Sequence, residues 1–479
     1  MTDLLPTDGL AYFGRFGVTE ELLRAAFDRA MSTGADWAEL FFQHRITHHL
    51  GLEDGAVNRA YGSVMLGVGV RVIKGDQTGY AYTEELTRQA VCDAAATAAV
   101  IANEAAGRGP SAFEIKRLPD RYPVQQPWPG VGVAEKMPIL TRLNELAFAR
   151  SPDIVKVRVG FADADGAVLV VDSDGRMSFD RQPMAQMTLS CTAERGSQRE
   201  SCSANLAGRE GFEFFTDTRV EKLAGDAVDR TLFLFDATVA PAGAMPVVLA
   251  AGSSGILLHE AIGHGMEADF NRKGISVYSD KLGQAIANPD VTIVDDGTEV
   301  GARGAINVDD EGVEGQRTVL VEQGVLRTYM HDRISARHYG VEPTGNGRRE
   351  SFRSPPLPRM RSTYMLPGRH DPAEIIASVK RGVYASSFTN GQVMIGAGDF
   401  TFYIKTGYLI EDGKLTRPIK DTNIIGNGPE CLKKTDMVGT DFEFDDGGWT
   451  CGKDGQSVPV SLGMPTVRVA EITVGGVNQ

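Results

Sequence analysis

The stretch His259-Glu260-Ala261-Ile262-Gly263-His264 sets two imidazoles at i and i+5, and that interval limits what the segment can fold into. On a regular helix each residue turns by about 100°, so side chains at i and i+5 diverge by about 140°. Rings that far apart do not share one metal ion. In the common zinc-protease helix the histidines stand at i and i+4 on one face, and the Glu after the first acts as base. If the pair here serves one ion, the helix expected from Ile256 to Met266 must be kinked or bulged between them. Gly263 and Gly265 flank His264 and lower the cost of leaving helical geometry. Upstream, Ala251-Gly252-Ser253-Ser254-Gly255 suits a strand-to-helix turn, with Ser253 or Ser254 as N-cap. Ile256, Leu257, Leu258 and Ile262 mark the segment as buried, where an idle His or Glu would be costly.

A hydrolytic zinc ion takes three protein ligands and keeps one position for water. With His259 and His264 as ligands, Glu260 becomes the general base that deprotonates a metal-activated water and later protonates the leaving amine. The third ligand stays open on chemistry alone. Glu267 and Asp269 lie just downstream, Asp399 and His331 lie further on, and Cys451 sits in Trp449-Thr450-Cys451-Gly452-Lys453-Asp454-Gly455-Gln456. A thiolate binds zinc tightly, but its charge makes the ion a weaker Lewis acid. His44, His48 and His49 are a separate group with no acid-rich partner set, and are read as ordinary strand or loop residues.

The rest of the chain reads as α+β. Thr19-Glu20-Glu21 opens an amphipathic helix carrying Leu22, Leu23, Ala26, Phe27, Ala30 and Met31. Val64, Leu66, Val68, Val70 and Val72 alternate as in a strand. Helices are expected from Leu86 to Asn103, capped at Thr83, and from Ala134 to Arg150, with a proline-rich connector between Gly107 and Gly132. A strand meander with turns at Asp165-Gly166 and Asp174-Gly175 runs to about Cys202, and a helix and linker span Leu223 to Val239. Beyond them glycine-punctuated strands dominate, among them Phe400 to Ile404 and Tyr408 to Ile410. The expectation is two domains, an N-terminal α+β domain with antiparallel strands (1–225) and a strand-rich, barrel-like C-terminal domain (226–479) carrying the metal-binding helix.

With 479 residues, two to three domains are the prior. The formal charge of −14 argues against direct nucleic-acid binding, which needs clustered excess Lys and Arg. No apolar run approaches the roughly 18 residues of a membrane span, and the start of the chain lacks a basic leader followed by an apolar stretch, so a cytoplasmic protein is expected. Five scattered cysteines do not describe a disulfide framework. The arginine-rich stretch from Thr344 to Tyr364 begins Thr-Gly-Asn-Gly but lacks the Lys-Ser/Thr ending of a phosphate loop, and reads instead either as a basic loop that steers a peptide carboxylate or docks a partner subunit, or equally as a solvated loop.

Four stretches carry a resemblance. His259 to Asp269, Thr344-Gly345-Asn346-Gly347-Arg348-Arg349-Glu350-Ser351, Ile425-Gly426-Asn427-Gly428-Pro429 and Cys451-Gly452-Lys453-Asp454-Gly455-Gln456-Ser457-Val458-Pro459 resemble the catalytic branch of the TldD/PmbA family of cytoplasmic metallopeptidases, also called modulators of DNA gyrase. The resemblance implies zinc on His259, His264 and Cys451, with Glu260 as base. It also implies a dimer, with a PmbA (TldE)-like subunit or with itself, that encloses the site and admits short or unfolded peptides. From a different class, a non-catalytic zinc-stabilised binding protein that regulates gyrase or another partner has the same ligands but a closed coordination shell.

Overall fold

The computed structural model describes residues 8–102, 107, 109, 110 and 112–476. Its N-terminal half is one curved antiparallel sheet, a half-barrel with helices on it. Strands run side by side in the order Gln77–Thr83, Ala56–Lys74, Trp37–Glu53, Ile154–Asp172, Arg176–Arg195, and Gln198–Gly208 pairs with the last of these. Short Glu114–Ile115 adds in parallel beside Arg176. Helices Glu20–Ala30 and Arg88–Ala99 bury Leu23, Phe27, Val91 and Ala95 against one end of this sheet. Helices Val133–Arg150 and Asp217–Phe233 bury Leu140, Leu143, Leu223 and Val228 against the other end. Residues 225 and 226 therefore fall inside a helix whose apolar face belongs to the N-terminal core.

Thr87, not Thr83, caps the helix Arg88–Ala99, because Thr83 Oγ1 is taken by the Glu85 amide. The end expected at Asn103 lies outside the described residues. Asp165-Gly166 is no turn: strand Ile154–Asp172 runs straight through it, since Gly166 is paired on both sides, with Arg45 and with Gln182. Asp174-Gly175 does turn, with Gly175 at φ 90°.

The C-terminal half closes a five-stranded barrel. Gly243–Leu249 lies between Arg381–Met394 and Val467–Gly476, then come Thr422–Asn427 and Asp399–Glu411, which pairs back onto Arg381–Met394. Asp399–Glu411 is one continuous strand where two short ones were expected. A second sheet, including Ile293–Asp296, Ser362–Met365 and Ser461–Met464, packs beside the barrel. The chain leaves the barrel strand at Leu249 and enters the helical segment from Gly255 to Met266, which joins Leu249, Met360 and Val458 in one core. No helix among the described residues is long and apolar enough to cross a membrane.

Candidate metal centre

The helical segment changes pitch where the histidines stand. Gly255–Leu258 is α-helical, His259–Gly263 is a π-turn and His264–Met266 is 3-10. In the π-turn the His264 amide donates to the His259 carbonyl, so residues at i and i+5 stack one above the other. The extra residue removes the 140° divergence of a regular helix. The two rings lie edge to face, 5.2 Å between centroids.

The glycines beside His264 act differently from the sequence expectation. Gly263 has ordinary helical dihedrals, φ −58° and ψ −50°, so no backbone freedom is needed there. What it supplies is room: a Cβ would stand 2.0 Å from Met360 Sδ, and one on Gly265 would stand 2.7 Å from the Tyr278 ring. Neither serine caps the helix. Ser254 occupies the N-cap position without a capping bond, and Ser253 Oγ donates to the Ser386 carbonyl.

Cys451 arrives from the hairpin Thr450–Lys453/Gln456–Pro459, and its Sγ lies 3.5 Å from His264 Nε2. Donor atoms of His259, His264 and Cys451 all lie within 4.8 Å of one another, and all three residues are buried. A tetrahedral zinc with bonds of about 2.3 Å to sulfur and 2.0–2.1 Å to nitrogen holds those donors about 3.6 Å apart. The observed Sγ to Nε2 separation fits. Nδ1 of His259 is buried with no hydrogen-bond partner, as is fitting for a ring whose polar atoms are not all satisfied by protein. Burial alone pushes the Cys451 thiol up, but the facing His259 and His264 outweigh it and bring it down to about 4. One cysteine sulfur and two histidine nitrogens are donor types that zinc takes.

Around these donors stands a layer of charge. His264 donates Nδ1–H to Glu267 Oε2 at 3.1 Å, which leaves Nε2 facing Cys451. Lys453 Nζ bridges Glu267 (3.0 Å) and Asp269 (2.7 Å), and donates to the Pro358 carbonyl. Burial pushes the Glu267 carboxyl up, yet Lys453 and His264 hold it down at about 2. Burial lowers the His264 imidazole, but Glu267 and Cys451 together outweigh it and take it well above the ordinary range. Arg359 donates through Nη2 to Cys451 Sγ (3.1 Å) and to the Cys451 carbonyl (2.8 Å). Glu260 is on the other side, its Oε2 3.8 Å from His264 Nε2 and its side chain 24% exposed.

The remaining candidates are elsewhere or otherwise engaged. Glu267 and Asp269 are held by Lys453, Asp399 accepts from Asn427, and buried His331 meets Thr328. His44 is bound to Tyr12, His48 to Asp163, and His49 stacks on Tyr61. Sequence reasoning missed Arg359 and Lys453. Lys453 had a signal: it stands two residues after Cys451, and alternate residues of a strand share a face. Arg359 had none beyond its place in a basic loop.

A bulged helix bearing two buried histidines, with a glutamate beside them and a distant cysteine, makes a candidate metal centre. Matches to three family descriptions agree with this. Residues 242–476 match the PmbA/TldA metallopeptidase C-terminal domain, 38–102 its domain 1 and 126–233 its central domain. A Metalloprotease TldD homolog of Haemophilus influenzae is 40% identical over 96% of this chain and 97% of its own length. A Zinc metalloprotease TldD homolog of Saccharolobus solfataricus is 27% identical over 94% of this chain and 98% of its own. The crystal structure of TldE from Thermococcus kodakarensis shares the fold, with TM-score 0.73, 19% identity, and 95% of this chain and 99% of that one covered. The chain belongs to the PmbA/TldD metallopeptidase family.

Proposed function

We propose that the protein is a zinc-dependent peptidase that hydrolyses short or unfolded peptides. The observation that carries the reading is the convergence of His259, His264 and Cys451 beside the partly exposed Glu260. These three residues would hold the zinc, and the name of the Saccharolobus solfataricus relative supports that metal. Bound there, zinc supplies Lewis acidity toward water and toward the scissile carbonyl. Glu260 takes the proton of the attacking water and returns it to the leaving amine. Glu267 fixes the tautomer and orientation of His264, and Lys453 fixes Glu267. Arg359 draws negative charge from the Cys451 sulfur, offsetting the loss of Lewis acidity that a thiolate brings.

A cleft of about 1100 Å³ between the N-terminal sheet and the C-terminal half runs past Ala251, Gly252, Ser253 and Trp449. Those residues directly precede the metal helix and the cysteine hairpin, although His259, Glu260, His264 and Cys451 do not themselves line the cleft. We place the break between two structural units after helix Asp217–Phe233 rather than at 225/226. As partner we propose a TldE-like subunit or a second copy, and as setting the cytoplasm, which suits five free cysteines.

Metal content measured together with mass-spectrometric analysis of a peptide mixture tests the function. Chelator should strip zinc and stop cleavage, and added zinc should restore both. Cleavage at an unchanged rate by the stripped protein would remove the metal from the mechanism.

A further inference from the structure

The basic stretch singled out in the sequence is largely interior: Arg348, Arg349, Arg359 and Arg361 are all buried. Arg349 pairs with Glu39, and Arg359 lies against Cys451 and Glu267. Arg348 and Arg361 have no such partner. Arg348 donates to the carbonyls of Met360 and Pro459. Arg361 donates Nε to the Gly345 carbonyl, and its Nη2 is buried with no acceptor.

Both line a small pocket of about 70 Å³ that is partly open to solvent, and Arg45 and Arg209 reach the same pocket from the N-terminal half. Arg209 donates Nε to the Arg303 carbonyl, and Arg45 makes no side-chain hydrogen bond among the described residues. Four guanidiniums thus face one small space. Asp310 and Glu350 also line it, Asp310 attracting Arg361 and Arg348 and Glu350 attracting Arg45, so the four arginines face two carboxylates and leave an excess of positive charge. Burial, with Arg361 and Arg209 close by, loosens the hold of Arg348 on its proton, and burial with Arg209 does the same to Arg45.

Like charges gathered away from water are costly unless an opposite charge joins them. A guanidinium presents paired N–H donors that match the oxygens of phosphate or carboxylate. The pocket has room for a few waters or one four-oxygen anion, and none for a nucleotide or a peptide strand. We infer that it binds a small multivalent oxyanion of the phosphate class, clamped between the two halves of the chain by Arg45, Arg209, Arg348 and Arg361. The proposed ligand is the free ion, because a volume of about 70 Å³ does not hold a larger molecule carrying the phosphoryl group. Val458 and Pro459 form part of the wall, and Val458 is the cross-strand partner of Cys451. An anion here therefore braces the strand behind the third zinc donor.

The test is thermal unfolding of the full chain in inorganic phosphate, sulfate and chloride at equal ionic strength, for wild type, Arg45→Gln and Arg361→Gln. Phosphate and sulfate strengthen burial in any protein, so the reading is the difference between wild type and variant in the same salt. Phosphate should raise the wild-type Tm with the logarithm of its concentration, with the apparent affinity weakened roughly tenfold or more in each variant. Arg45→Gln serves alone if Arg361→Gln does not fold, since Arg45 bonds to nothing the fold depends on. Crystals soaked in selenate should show an anomalous peak among the four guanidiniums. An equal phosphate response in wild type and Arg45→Gln, or no selenate peak at that position, overturns the inference. None of these readouts depends on zinc or on peptide cleavage.

Discussion

Glu260 and Glu267 are the same residue type against the same imidazole, and their surroundings are opposite. Glu260 lies toward Nε2 of His264 with a side chain 24% exposed, and no side-chain hydrogen bond ties it down among the described residues. Glu267 lies at Nδ1, fully buried, bonded to His264 and Lys453 and close to Arg359. A carboxylate that must exchange protons with incoming water needs access and freedom. One that orients a ligand needs enclosure and fixed partners. The difference in surroundings, more than sequence position, supports the proposed division into base and positioning residue.

The largest effect should come from Glu260→Gln. Turnover of a peptide mixture should fall by about 10²–10⁴-fold, the usual contribution of a general base, while zinc content by metal analysis stays at the wild-type level. Loss of zinc without a separate loss of turnover would put Glu260 in the same class as Glu267 and collapse the contrast.

Removing the cation from the buried side tests the other half. Lys453→Met leaves Glu267 and Asp269 without their shared partner, and breaking a buried pair costs about 3–5 kcal/mol. Urea unfolding should show that drop, and an unchanged midpoint would mean the enclosure of Glu267 does not depend on Lys453.

Glu267→Gln keeps the shape and removes the charge. Zinc affinity by chelator competition should weaken about 10–100-fold, with kcat of the zinc-saturated protein much less affected. A large fall in kcat at full zinc occupancy would show that Glu267 takes part in proton transfer.

A buried imidazole that no carboxylate hydrogen-bonds among the described residues sharpens the comparison further. Burial brings His331 down to about 4, against about 6.5 in an unfolded chain. Below that value the unfolded chain takes up a proton that the folded chain refuses. Stability should therefore fall as pH drops from about 6.5 to about 4, by at most about 1.4 kcal/mol per pH unit from this group. Urea unfolding across that window should show a shallower slope for His331→Gln than for wild type, and identical slopes would assign the loss to other groups.

The helix distortion was legible because it is geometric: two side chains at i+5 meet only if a turn gains a residue, and the π-turn His259–Gly263 does this. The barrel was legible from glycine-punctuated strands, although not its closure, which depends on Asp399–Glu411 pairing with two neighbours. Cys451 could not be ranked above Glu267 by chemistry. Resemblance named it, and the fold brings it to His264 across 187 residues. Glu267 was visible as a carboxylate near the histidines, but a 3-10 turn sets it behind the His264 ring, on the nitrogen turned away from Cys451. Asp165-Gly166 misled because local turn chemistry is outvoted when strands pair on both sides. Arg359 and the pocket arginines were seen only as a basic loop, since burial is decided by distant segments.

The hairpin that delivers Cys451 has a consequence for when the protein can act. A chain that has emerged through residue 450 contains both histidines and Glu260, yet lacks the third donor and the strand that braces it. Closing so long a loop comes late in folding. A fragment ending before the hairpin therefore keeps the full His-Glu signature without the cluster of His259, His264 and Cys451.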